Sequence, residues 1–410
     1  MSMIVSNNGL KIDNKLVLLI HVIILLYNTN SFFITVNTTV GSLLMLLGVL
    51  LLFSRNKWTL DRFIAQVMAF IIVSCLLSLV FNGAINSLGT TIRFILIIFY
   101  AVLLSRYVRI EQLGDITIKT LAVLTCIALV PHILINYLGM SAFLNYLPII
   151  KNVNGSSIYC GFLFNTYTYR QDRCMSIFWE PAIYASFCTL GIAFELLLRE
   201  KKRWLLIAIC AIGVIISRST GGYLVLLTCF LLVVDSLLAK KNVKIGFQLV
   251  LLVPLIVLSI IIFLNIDKLT LLLYQINPDI FYKLLQENNS GSLLTRENSA
   301  LINLKLFLDK PIFGYGYGNV DGYYVALGGK NETSTLTYYL AAFGVWGAIY
   351  TFMWIYGIIK QKYFTITSRI IFLALIALVL LKEPYYSSCF MYLLLFCLLR
   401  YTAEISNNME

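Results

Sequence analysis

Four arginines, Arg170, Arg173, Arg218 and Arg296, stand among hydroxyls, glycines and helix-start residues in short polar segments between long apolar runs. A guanidinium presents a planar fork of donors that matches phosphoryl oxygens two at a time, so several of them together point to holding a diphosphate. Arg173 opens the run Arg173-Cys174-Met175-Ser176-Ile177-Phe178-Trp179-Glu180-Pro181. Proline in a first helical turn and a carboxylate near it suit a helix start. Glu180 therefore reads two ways, as a cap that neutralises Arg170 or Arg173 and as a ligand-facing group. Arg218 lies in Ser217-Arg218-Ser219-Thr220-Gly221-Gly222, where glycines would let backbone amides approach an anion and the next helix offers its positive end. The plainer alternative is an interfacial arginine snorkelling to lipid headgroups. Arg296 follows Thr295, which is placed to cap a helix carrying Leu301, Leu304 and Leu308 at helical spacing and ending before Pro311. Its alternative is a salt bridge to Glu297 or Asp309, of little energy if exposed.

Other groups fall around these. Arg93 lies inside the outer end of an apolar run, where a charge usually lines a polar cavity or snorkels. Glu332, in Asn331-Glu332-Thr333-Ser334, is a candidate general base for an acceptor hydroxyl, a role typically contributing roughly 10² to 10⁴ in rate; a carboxylate at a helix start is the alternative. Thr333 and Tyr338 flank it as substrate-binding candidates. The two histidines divide: His132 is placed to reach an outer cavity, whereas His21 belongs inside the bundle. The stretch Pro311 to Gly318 mimics a dinucleotide glycine pattern, but no βαβ unit surrounds it, and a loop packed closely on the membrane face is the better reading. With two histidines and no clustered carboxylates, no metal site and no cofactor are expected. Seven of the nine cysteines lie in apolar runs; Cys160 and Cys174 share one outer loop, either joined or as two thiols.

The elements that must position these groups are read from composition. Hydrophobic residues make up 60% and charged residues 12% of the 410, which describes a polytopic membrane protein rather than a soluble one. The net charge of +12 is dispersed beside apolar runs, which excludes a nucleic-acid partner in favour of orientation and anionic lipid. The first apolar run carries no small-residue cleavage site and reads as an anchor. About twelve spans are placed at 16 to 34, 36 to 53, 63 to 81, 88 to 105, 116 to 137, 177 to 198, 204 to 217, 221 to 238, 245 to 265, 335 to 358, 366 to 382 and 386 to 400. Basic connections at 55 to 62, 106 to 119, 199 to 203, 240 to 244 and 360 to 362 alternate, so they share the cytoplasmic side with both termini. The arginines of the first paragraph fall on the other face, against that bias. The chain thus reads as a single all-α transmembrane domain over 1–410 with a helical cap. Two outer loops make the cap, 138–176 and 266–335, the second holding an amphipathic stretch near Leu271 to Leu285.

Taken in order, several of these pieces resemble the superfamily of Wzy O-antigen polymerases and WaaL O-antigen ligases. They are Arg173 to Pro181, the Ser-Arg-x-x-Gly turn at Arg218, the arginine helix at Arg296 leading to Pro311 through Gly318, and Leu336 to Gly347, covering roughly residues 170 to 350. The resemblance implies a metal-independent, GT-C-like membrane glycosyltransferase of the bacterial inner membrane. It would act at the periplasmic face on undecaprenyl-diphosphate-linked oligosaccharide, with the bilayer and a chain-length regulator protein as partners. Arg173, Arg218 and Arg296 would engage the donor diphosphate, with Arg170, Arg93, Tyr338, His132, Glu180 and Thr333 around the substrate. The ligase branch has His-Asn where this chain has Thr333 and Ser334, which favours polymerase over ligase; a flippase for the same lipid-linked sugar is the rival of another class.

Overall fold

The computed structural model describes residues 15–53, 62–82, 85–152, 155–240, 292–329, 332–361 and 364–407. The expected span at 245 to 265 and the stretch near Leu271 to Leu285 lie outside these residues, as does the side chain of Arg296. Fifteen α-helices occur among the described residues. They are α1 (Lys15–Tyr27), α2 (Phe32–Val36), α3 (Thr38–Phe53), α4 (Arg62–Phe81), α5 (Leu88–Leu104), α6 (Ile110–Asn136), α7 (Pro181–Leu198), α8 (Trp204–Ser217) and α9 (Thr220–Lys240), followed by α10 (Ser292–Asp309), α11 (Val320–Ala326), α12 (Thr335–Phe343), α13 (Val345–Ile359), α14 (Ile366–Lys382) and α15 (Cys389–Asn407). By length and composition four can cross a bilayer: Ile64–Phe81, Ile110–Asn136, Pro181–Leu198 and Thr220–Leu237. Six further apolar helices are shorter than a full crossing.

Two expected spans are broken. The first is interrupted at Asn28 to Ser31, and the tenth at Gly344, which stands at φ 63°, ψ −142° between α12 and α13. The cause of the second break is visible. The Pro311 to Gly318 loop lies edge-on against it, Tyr315 and Gly316 donating their amides to Ala341 and Ala342 (2.8 and 2.9 Å) and Val345 donating to Pro311 (2.7 Å). Those bonds satisfy backbone groups that a break would otherwise leave buried and unpaired. Ser78 of α4 donates to the carbonyls of Phe313 (2.6 Å) and Ala342 (2.9 Å), closing the interlock from the third side. The close-packing loop read from the sequence is therefore the observed one.

The core centres on α7, which is buried along almost its whole length and packs on α6, α8 and α9. Its neighbours approach closely: a Cβ on Gly191 would touch Leu121 at 3.3 Å and the Ile118 backbone at 3.4 Å. At one end of α7 an ion-pair network joins Asp115 to Lys119, Arg199 and Arg203, and Glu195 to Arg203. The basic connection at 199 to 203 is thus tied to α6 and α7 as well as being a topology signal. At the opposite end lie Arg170, Arg173 and Arg218.

One loop departs from the all-α expectation. Residues 138–176 carry an antiparallel sheet, β1 (Ile149–Lys151), β2 (Ser157–Cys160) and β3 (Asn165–Tyr167), with Ile150 opposite Ile158 and Tyr159 opposite Thr166. Strands of three and four residues are too short for alternation to reveal them against a polar background. Cys160 and Cys174 are both buried, unjoined thiols.

Candidate functional site

Arg218 ends α8 in the left-handed conformation, φ 48° and ψ 39°. A side chain there costs roughly 1 to 2 kcal/mol against glycine's ease. Keeping an arginine in that backbone state points from an observed outlier to a functional need. Its guanidinium donates to Asp172 Oδ2 at 2.9 Å, and its own carbonyl accepts from the Arg173 guanidinium at 3.1 Å. Arg170 grips the same carboxylate through Nη2 to Oδ2 (3.1 Å) and Nε to Oδ1 (3.4 Å). Two of the four arginines, Arg170 and Arg218, therefore meet on one carboxylate, and Arg173 joins them through the Arg218 carbonyl. Asp172, which sequence reasoning passed over, carries no signal beyond standing between two arginines. Burial pushes its carboxyl up, but Arg170 and Arg218 outweigh that and hold it below the ordinary aspartate value of 3.8.

The sheet positions this cluster. Thr166 of β3 donates its hydroxyl to the carbonyls of Arg170 (3.3 Å) and Arg173 (2.9 Å), pinning the turn between them. The Cys174 amide then donates to Ile216 at 3.1 Å, stitching the turn to the end of α8. His132, buried on α6, is within electrostatic reach of Arg218 and Asp172 and lies 3.3 Å from Asn136 Nδ2. It stands near this group; His21 is held inside the bundle by the Tyr100 hydroxyl at 2.8 Å.

Glu180 stands at the N-cap of α7 with Pro181 in the first turn, but its carboxylate makes no hydrogen bond to the helix amides. The capping half of its plainer reading is thereby corrected; it sits in electrostatic reach of Tyr167 and Tyr385 instead. The glycines after Arg218 also differ from the expectation of an anion cradle. Gly221 makes room for the buried Lys382, and a Cβ on Gly222 would meet that of Ala185 at 2.5 Å. Lys382 Nζ lies 3.4 Å from both the Ala182 carbonyl and Ser186 Oγ, beside the starts of α7 and α9. A lysine in the last turn of α14, against the charge bias expected of that connection, was the signal that could have found it.

A second group forms on α10 and α12. Helix α10 begins at Ser292, three residues before Thr295, so Thr295 and Arg296 lie within the helix and Thr295 is not its cap. Its inner face is Ser299, Ile302, Asn303 and Leu306, while Leu301, Leu304 and Leu308 are exposed. Glu332 Oε1 accepts from Ser299 Oγ (2.9 Å), Asn303 Nδ2 (2.9 Å) and the Ser334 amide (3.0 Å). Burial drives its acid up to about 7 in spite of those three donors. The Thr333 amide donates to Ser299 at 3.1 Å. Tyr338 is buried, stacks on Tyr386 at 3.8 Å and accepts the Gly318 amide at 3.1 Å, so its hydroxyl already serves the loop. Arg93 stands apart from the other arginines, near Tyr27 and Tyr317. No cluster of three or more metal-ligating side chains occurs among the described residues.

Asp172→Ala tests whether the hub orders the arginines. The glycosyl transfer expected from the sequence should fall about tenfold, the loss expected of a misaligned charge-assisted pair, while sedimentation and melting of the purified protein stay near wild type. A rate equal to wild type would show that Arg218 needs no carboxylate to hold it.

None of the curated proteins matches the chain. A family model described as O-antigen ligase matches residues 205–352, from the start of α8 into α13, taking in Arg218, Arg296, Glu332 and the helix break at Gly344. Over that segment the chain is similar to the O-antigen ligase family, which is consistent with the Wzy and WaaL superfamily of O-antigen polymerases and ligases.

Proposed function

We propose that the protein is a polysaccharide polymerase of the bacterial inner membrane, transferring a growing glycan from undecaprenyl diphosphate to the terminal sugar hydroxyl of an incoming lipid-linked repeat unit. The observation that carries this reading is the gathering of Arg170, Arg173 and Arg218 at one end of the bundle, Arg170 and Arg218 on the Asp172 carboxylate and Arg173 on the Arg218 carbonyl. In the reaction the acceptor oxygen bonds to C1 of the donor sugar, the C1 to phosphate-oxygen bond breaks, and the diphosphate leaves with the electron pair. Charge grows on the leaving group, so fixed guanidinium groups stabilise the transition state more than the ground state. The acceptor proton passes to Glu332, whose acid at about 7 is matched to a neutral medium.

The Glu332 assignment gives two pH effects of opposite sign. As a base it must be ionised, so elongation should rise with pH through about 7 and level above it. Stability runs the other way. The folded state holds this proton up to about 7 whereas the unfolded chain releases it near 4.5, so stability falls as pH climbs from 4.5 to 7 and returns on acidification. Glu332→Gln should flatten both limbs and slow transfer by roughly 10² to 10⁴. A variant with wild-type rate and an unchanged rising limb would remove Glu332 from the chemistry.

Ligase activity is the second reading, favoured by the description of the matched family. Thr333 and Ser334, in place of that branch's His-Asn, argue for the polymerase. Purified protein given only lipid-linked repeat units in EDTA should build long chains. Transfer solely onto lipid A core would establish the ligase, and movement across vesicles without new glycosidic bonds would establish transport.

A further inference from the structure

The break between α1 and α2 gathers buried polar groups that the chemistry above does not use. Asn28, Thr29 and Asn30 are 2%, 4% and 3% exposed, and Ser388, in the turn entering α15, is 0% exposed. Among the described residues, no hydrogen-bond partner meets Asn28 Oδ1, Thr29 Oγ1, Asn30 Oδ1 or Ser388 Oγ. Their remaining groups hold the turn in place. Asn28 Nδ2 donates to Ile24 (3.0 Å) and Gly41 (3.2 Å), Asn30 Nδ2 donates to Pro384 (3.1 Å), and the Cys389 amide donates to Asn28 (3.2 Å), bringing Ser388 beside Asn28. Asn30 adopts φ 47°. Irregular backbone persists at membrane depth where it is enclosed by protein or lines a polar cavity. Buried polar atoms left without partners are costly, so three at this turn and a fourth on Ser388 beside it point to a hydroxyl-rich ligand.

Arg93 lies on α5, which packs on α15, the helix that Ser388 leads into. Its Nε is buried with no partner, and no carboxylate pairs with it, among the described residues. Tyr27, Tyr317 and Cys389 are within electrostatic reach; Tyr27 directly precedes the polar turn and Cys389 directly follows Ser388. Phe94 stacks on Tyr317 at 4.1 Å and fixes the loop over this end of α5. Tyr317 in turn meets Tyr386 edge-on, and Tyr386 is within reach of Glu332. The Arg170, Arg173 and Arg218 cluster is built from other elements, the sheet loop and the turn between α8 and α9. The chain therefore offers two cationic sites that share no residue. Thr29 also lines a small apolar pocket with Leu26, Leu121, Phe178 and Phe390.

We propose that Arg93, the Asn28-Thr29-Asn30 turn and Ser388 form a second lipid-diphosphate site, holding the diphosphate of the acceptor on Arg93 and its first sugar on the turn, while Arg173 and Arg218 hold the donor. This rests on the polymerase reading. Joining two lipid-linked glycans brings two diphosphates into one enzyme, and like charges at close range require separate cations. The acceptor on the Arg93 side is also the partner that must reach Glu332.

The test uses the full-length protein in nanodiscs with two analogues. One is a lipid-linked glycan whose terminal hydroxyl is blocked, which can only donate; the other is a repeat unit whose C1 to phosphate oxygen is replaced by methylene, which can only accept. Arg93→Ala should raise KM for the acceptor-only analogue at least tenfold and leave donor KM within twofold, and Arg218→Lys should do the reverse. Ser388→Ala, a small change in a buried place, should raise acceptor KM several-fold if Arg93→Ala fails to fold. Equal shifts in both KM values, or none, overturn the site. So does an Arg93→Ala effect confined to loss of a phosphatidylglycerol requirement, since that would assign the guanidinium to a bilayer headgroup. If wild-type protein never joins the two analogues, the polymerase reading fails on its own. The site is then judged by native mass spectrometry: two bound lipid diphosphates in wild type and one in Arg93→Ala support it, and equal numbers reject it.

Discussion

Arg218→Ala should lower elongation by about 10²- to 10³-fold, the loss of about 2.7 to 4 kcal/mol seen when one preorganised donor to a developing anion is removed. The protein should still accumulate to wild-type level. The structural reasons are separable. Arg218 supplies a guanidinium to the hub at 2.9 Å and a carbonyl to Arg173 at 3.1 Å, so alanine removes the first and keeps the second. The left-handed backbone at φ 48° adds a control. Arg218→Gly relieves that conformation and should melt above wild type while transferring as poorly as alanine. Lysine restores charge without the fork and should recover little. A normal ladder of chain lengths from Arg218→Ala in a deletion strain would remove the donor site from this turn.

The second large effect concerns folding. Gly344→Ala should destabilise the protein by about 3 kcal/mol or more, through left-handed strain and a collision that neither side can relax. At φ 63° a Cβ would stand 2.5 Å from the Ile312 carbonyl and from the Pro311 oxygen, both backbone atoms held by the interlock. Yield in mild detergent and the midpoint of thermal aggregation report it. Gly322→Ala is the matched control: it lies on α11 with open space around it, so the same substitution should be neutral or slightly stabilising. Equal melting of the two variants would mean that the loop and the helix break are not locked together.

The long helices were legible because apolar runs between basic connections leave little choice of element, and α4, α7, α8, α9 and α14 fall within a few residues of their expected places. The breaks were not. Asn28 to Ser31 sits inside an apolar run where hydropathy averages out a polar turn, and Gly344 is one glycine among 24. What bends the chain at each is a contact from far along the sequence, Cys389 to Asn28 in one case and the Pro311 loop in the other. The arginine cluster was legible as residue types in short polar segments, since a cation placed against the expected charge bias is informative by itself. Its organiser was not, because Asp172 acquires meaning only when the turn before Cys174 folds against the end of α8. The same holds for Lys382, which becomes notable once Gly221 is seen to receive it.

The enclosure of α7 has a consequence for how the chain is made. Ribosomes deliver α7 before α8 and α9, so for a time lipid must occupy the faces those helices later cover. Ser186, Thr189 and Glu195, all buried in the finished protein, then meet hydrocarbon or an insertion chaperone until the following hairpin arrives. A chain stalled just beyond residue 198 should therefore be a preferred substrate for membrane quality-control proteases, and one stalled beyond residue 240, with the pillar wrapped, should survive longer.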